Sequence, residues 1–148
     1  MKKIIFFSLL ILIFAQNIWA ENQESQKNQA NTNSANKIKI YYFHITQRCP
    51  SCTEIEKLTD LALKENFSQE LKNGQVIWQT VNVDEQANKQ FIEKYKLYTR
   101  SVVIAVLDKD NKEISWKNLD KIWTLLRQET DFKNYVKQEV QNFLKAQK

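Results

Sequence analysis

One glycine, Gly74, and one proline, Pro50, among 148 residues make an unusual chain. So few glycines leave no Gly-rich loop to cradle a phosphate, which excludes the common flavin and nicotinamide sites, and no cofactor is expected. Cysteine is scarce too. Cys49 and Cys52 are the only two, and a structural zinc site, which needs four ligands, would lack its second Cys pair. No metal site is therefore assigned. Charge of one sign is not concentrated anywhere. The net charge is +5 from 22 basic and 17 acidic residues, and the two signs alternate, as in Asp108-Lys109-Asp110. Such a surface is a solvated one and does not point to nucleic acid.

A long apolar run occurs only at the start, Ile4 to Ala15, interrupted by Ser8. It is short against the roughly 20 residues that span a bilayer. Lys2 and Lys3 precede it and Ile18-Trp19-Ala20 follows, so residues 1–20 read as a cleaved signal peptide. An uncleaved N-terminal anchor is the alternative, and the only contact with a membrane that the sequence offers. Both place the protein outside the cytoplasm, in the periplasm of a bacterium or otherwise extracytoplasmic. Loss of Lys2 and Lys3 lowers the net charge to +3. Residues 21–36 hold no aromatic or branched aliphatic side chain and are rich in Asn, Gln and Ser. They cannot bury enough apolar surface to offset chain entropy and read as a disordered linker. The domain is residues 37–148.

Within it, Lys37 to His44 alternates and then turns continuously apolar, as in a strand buried on both faces towards its end. A helix starts at Pro50, where proline suits the first turn. Ile55, Leu58 and Ala62 give it an apolar stripe to about Glu65. Asn73-Gly74 marks a turn. A second strand spans Val76 to Val83, and a helix from Glu85 to Tyr95 should bury Phe91, Ile92 and Tyr95. Val102 to Leu107 reads as a central strand. A hairpin at Asp108–Lys112 leads to a return strand, Glu113 to Trp116. Helix then runs from Asp120 to the end, in two pieces meeting near Thr130-Asp131. Helix-length connections predict that the first three strands are parallel. The fold class is α/β, a mixed four-stranded sheet flanked by helices in the order βαβαββα. With a Cys-x-x-Cys where the first strand hands over to the first helix, that order is the signature of a thioredoxin-like fold.

Both thiols of Cys49-Pro50-Ser51-Cys52 sit at a helix N-terminus, where unpaired N–H groups and the helix dipole favour thiolate. Cys49, at the very start, is the expected nucleophile. Cys52, one turn in, would resolve the mixed disulfide. As a mere staple the bridge would be poor, since so small a loop removes little unfolded-state entropy. Arg48 could lower the Cys49 pKa further, or be an ordinary loop arginine. His44, the only histidine, could relay a proton, or be a packed residue at a strand end. The loop before the third strand, at Arg100-Ser101-Val102, cannot hold the cis-proline found there in thioredoxins, because Pro50 is the only proline.

The run Tyr41-Tyr42-Phe43-His44, followed by Arg48, Cys49, Cys52-Thr53 and Ile55-Glu56, resembles one group of exported thioredoxin-like proteins, the nitrophenyl compound nitroreductase subunit, ArsF-type family. The likeness extends over most of residues 37–145 and includes the proline-free Thr99–Val103 loop. It implies that His44, Arg48, Cys49 and Cys52 are the functional positions, and a link to reduction of nitroaromatic or arsenic compounds near a membrane permease.

The expected function is thus an exported thiol–disulfide oxidoreductase that passes electrons to or from a periplasmic protein dithiol or disulfide, supplied in turn by a membrane electron donor. The alternative is a soft-metal or arsenite binding protein that uses the two thiolates.

Overall fold

The computed structural model describes residues 36–146. The expected signal peptide and nearly all of the expected linker lie outside them. Strand β1 (Lys37–His44) leads into helix α1 (Pro50–Asn66) and a short α2 (Ser68–Lys72). Strand β2 (Val76–Asn82) follows, then a 3-10 turn (Gln86–Asn88) and a one-turn α3 (Gln90–Lys94). The hairpin β3 (Ser101–Leu107) and β4 (Glu113–Asn118) precedes α4 (Ile122–Leu125) and the long α5 (Glu129–Lys145). The sheet order is β2-β1-β3-β4. This is a thioredoxin-like α/β fold.

β1 pairs in parallel with β2 and antiparallel with β3, so the expectation of three parallel strands is corrected. The reason lies in the second connection. Its α-helix is only Gln90–Lys94, which rises about 7 Å, whereas β2 is about 23 Å long. The chain cannot return to the far end of the sheet, and β3 starts from the end at which β2 left. The expected helix over Glu85–Tyr95 is likewise split by the 3-10 turn. Ile92 is exposed there rather than buried, while Tyr95 is fully buried. The last helix breaks at residues 126–128, earlier than the sequence implied.

Alternation along β1 divides the core. Ile38, Ile40 and Tyr42 face α1 and α5, packing with Ile55, Leu58, Phe132 and Val136. Tyr41 and Phe43 face the other way, stacked at 5.2 Å, and meet Tyr95 with Phe91 alongside. Helix α5 presents Phe132, Val136 and Val140 at four-residue spacing, with Glu129 and Asp131 in its first turn and Lys145 in its last, which suits the helix dipole. Lys117 of β4 reaches Glu139 of α5 at 2.8 Å. On the opposite face Lys94 pairs with Glu113, which also accepts the Tyr95 hydroxyl. With glycine scarce, two of the left-handed backbone positions fall on Lys96 (φ 51°) and Asn111 (φ 61°), and Gly74 (φ 75°) takes the turn before β2. Among the described residues no helix is long and apolar enough to cross a membrane.

Phe132 is fully buried near the start of α5, within the core that α1 and β1 share. Phe132→Ala should cost about 3–5 kcal/mol, read as a fall in the urea midpoint with little change in slope. Burial, first of all, pushes the hydroxyls of Tyr42, Tyr95 and Tyr135 above the ordinary tyrosine range, helped at Tyr95 by Glu113 and at Tyr135 by Asp120. The folded state then holds protons that the unfolded chain releases above about pH 10. The stability these groups give is complete below that pH and is lost as pH climbs beyond it. Absorbance titration at 295 nm (the phenolate wavelength) should therefore show a delayed fraction that appears only with unfolding.

Candidate redox site

The loop after β1 is tied to the end of β2. The Thr46 N–H donates to Asp84 at 2.8 Å and Asn82 donates to the Thr46 hydroxyl at 3.0 Å. That Thr46 N–H is the main cause holding the Asp84 carboxyl below the usual carboxylate range. The chain thus arrives at Cys49 in extended conformation (φ −101°, ψ 160°), and Cys49 caps α1 with its own sulfur, which accepts the Cys52 N–H at 3.1 Å. Pro50 follows at the first helical position, where no amide hydrogen is needed.

Cys49 and Cys52 are joined at disulfide distance, with Cα atoms 4.9 Å apart. They are unequally placed. Cys52 is completely buried, whereas Cys49 is only half-buried. An incoming thiol can approach Cys49 and not Cys52, and the free N–H groups of the first turn favour negative charge on the sulfur nearest the helix start.

Beneath the helix start lies Tyr42, a residue the sequence reading passed over. Its ring is fully buried and its hydroxyl donates to the Cys52 carbonyl at 2.8 Å. Burial raises its pKa against the opposing pull of Arg48 and Arg100, so it remains a neutral donor. The signal for it was its place in β1: it shares the face of Ile38 and Ile40, hence that of α1, and a buried tyrosine tip needs a polar partner.

Arg48 and His44 both gather on this ring. The Arg48 guanidinium lies 5.8 Å from its centroid and pairs with Glu56, one turn after Cys52 on α1. Its charge is therefore offset by a carboxylate rather than left free beside Cys49. The His44 ring stands 5.9 Å from that of Tyr42, and its Nδ1–H donates to the Ile45 carbonyl at 3.0 Å. That tautomer leaves Nε2 as the basic nitrogen. Across the sheet end, the loop before β3 is held by two hydrogen bonds. The Ser101 hydroxyl donates to the Thr99 carbonyl at 2.9 Å, and the Trp123 indole N–H donates to the Arg100 carbonyl at 2.9 Å. Peptide bonds of the described residues are all trans.

Several solved thioredoxin structures resemble the chain. It matches a thioredoxin of Fasciola hepatica at 16% identity and a TM-score of 0.41, over 87% of this chain and 94% of that one. The fourth thioredoxin domain of ERdj5 matches at 17% identity and 0.41, over 68% and 88%. The germline thioredoxin Deadhead of Drosophila melanogaster matches at 20% and 0.37, over 66% and 79%. No family model and no curated protein sequence matches the chain. It is the strand order and the place of the cysteines that identify the fold.

The Arg48–Glu56 pair yields a direct expectation. Glu56→Gln releases the guanidinium from its counter-ion, so the Cys49 thiolate of the reduced protein gains stabilisation. Alkylation of Cys49 by iodoacetamide at neutral pH should speed up about two- to fivefold, with the pH–rate profile displaced to lower pH.

Proposed function

We propose that this protein is an exported thiol–disulfide oxidoreductase acting through Cys49 and Cys52. The observation that carries the reading is the unequal burial of two bonded cysteines at the N-terminus of α1, Cys52 enclosed and Cys49 accessible. A disulfide that served only to staple would have no need of this asymmetry.

In the reducing direction the Cys49 thiolate attacks one sulfur of a partner disulfide. The partner's S–S bond breaks, its other sulfur leaves as thiolate and takes a proton, and a Cys49–partner disulfide forms. Cys52, deprotonated, then attacks Cys49. The second partner thiol leaves, and two electrons have passed from the dithiol to the partner. The oxidising direction is the same sequence reversed. Tyr42 keeps Cys52 in register for the second attack through its carbonyl, and Nε2 of His44 is assigned to proton relay at Cys49, while Arg48, its charge held by Glu56, steadies the loop against the Tyr42 ring. Residues 1–20 are the reason for placing the reaction outside the cytoplasm, with a membrane electron donor or acceptor as its supply. The nitrophenyl compound nitroreductase subunit, ArsF-type likeness at His44 to Glu56 points to the same class of exported electron carrier.

A soft-metal or arsenite site would use the same two thiolates once the Cys49–Cys52 bond is reduced.

Cys49→Ser should reduce insulin-disulfide turnover by about two orders of magnitude or more, while Cys52→Ala should trap the mixed disulfide, visible by mass spectrometry. Full turnover by Cys49→Ser would end this reading.

A further inference from the structure

Arg100 has no place in the exchange chemistry above, yet it is the cation most conspicuously without a partner. It lies one residue before β3, and the register sets Ser101 opposite Phe43, so Arg100 stands at the end of the sheet where β1 releases the Cys49 loop. Its backbone is fixed by the Trp123 indole. Its Nε is buried with no hydrogen-bond partner, and the Asp84 carboxylate acts on it through space, without an ion-pair contact. A buried guanidinium N–H left unpaired is costly, and the planar fork of arginine is suited to a carboxylate.

The space in front of it fits such a group. A cleft of about 200 Å³ is lined by Arg100, His44 and Asp84, with Phe43, Val83 and Leu97 among its apolar walls. That is room for about six waters at ~30 Å³ each, or for a short acid. The exposed Tyr98 forms part of the rim. Asp84 limits the charge of the occupant. Its carboxylate is already engaged by the Thr46 N–H, and it would repel a doubly charged phosphate more than a single carboxylate. Apolar walls also favour a carboxylate on a hydrocarbon stem over a hydrated inorganic anion.

We propose that this cleft binds a monocarboxylate on a short apolar stem, with Arg100 as its counter-ion. Together with the exchange reading, on which this second step rests, the site selects thiol or disulfide partners bearing such a group. A small organic acid and an acidic side chain of a protein offer the same chemistry.

Two measurements on the full chain test it. In the first, the oxidised protein is titrated with butyrate, with the neutral isostere butyramide as control, and followed by backbone NMR. Butyrate should shift Leu97, Tyr98 and Arg100, butyramide should not, and Arg100→Gln should weaken butyrate about tenfold or more. Asp84→Asn keeps an acceptor for Thr46 while removing the opposing charge, so it should tighten butyrate and guards against misfolding of the arginine variant. Equal response to butyramide, or undiminished binding by folded Arg100→Gln, would overturn the site. A blocked tripeptide with central glutamate, set against its glutamine counterpart, identifies the source. Binding of the glutamate form as tightly as butyrate supports a protein carboxylate, and binding of butyrate alone supports a small acid. In the second measurement, the reduced protein is mixed with dithiodipropionate or with neutral hydroxyethyl disulfide. The carboxylate substrate should react about tenfold faster, and Arg100→Gln should abolish that advantage without slowing the neutral one. Equal rates in the wild type would overturn the selectivity. If neither disulfide reacts, the exchange reading falls while the butyrate titration still decides the cleft.

Discussion

β1 is hydrogen-bonded along both edges, to β2 on one side and β3 on the other, and covered on both faces. Every backbone group of a strand so enclosed must find its partner in a neighbouring strand, and each side chain is committed to one face. A slip of one residue that brought Phe43 to where Tyr42 stands would leave no hydroxyl beneath Cys52. The redox site inherits its geometry from that register. The alternation that buries Ile38 and Ile40 against α1 also delivers Tyr42 to the first turn of the helix, and the end of the strand releases the loop that presents Cys49.

Much of this was legible in the sequence, for reasons that differ by element. β1 and β3 are apolar runs with β-branched or aromatic content, and α1 has a clear stripe behind a proline at its first turn, so their existence followed from periodicity alone. The cysteine pair was readable because its chemistry needs only local structure, a helix N-terminus. The direction of β3 was not, because the stretch Glu85–Tyr95 has the polarity and the apolar positions of a full helix. Only its folded length, a 3-10 turn and one α turn, shows that it cannot carry the chain back along the sheet.

The site residues that escaped notice share a property. Tyr42 sits in a run of aromatics and Arg100 in a polar loop, and neither differs from its neighbours by composition. What distinguishes them is a partner, or the want of one, that is distant in sequence: the Cys52 carbonyl for Tyr42, the sheet-end cleft for Arg100. Arg48 shows the converse. Adjacent to Cys49 in sequence, it read equally as a cation acting on that thiol or as an ordinary loop arginine, and the fold pairs it with Glu56, a residue on the following helix turn.

The loop before β3 shows how a proline can be replaced. A proline ring restricts the backbone by covalent means and leaves no side chain to point at a ligand. Here the restriction comes from the Ser101 hydroxyl and the Trp123 indole, each bonded to a carbonyl of the loop. Two neutral hydrogen bonds contribute about 1 kcal/mol each, so this loop is held less rigidly than a ring would hold it. In exchange the position before Ser101 is free to carry a long cationic side chain. This end of the sheet therefore carries charge at a position where a proline would offer only shape.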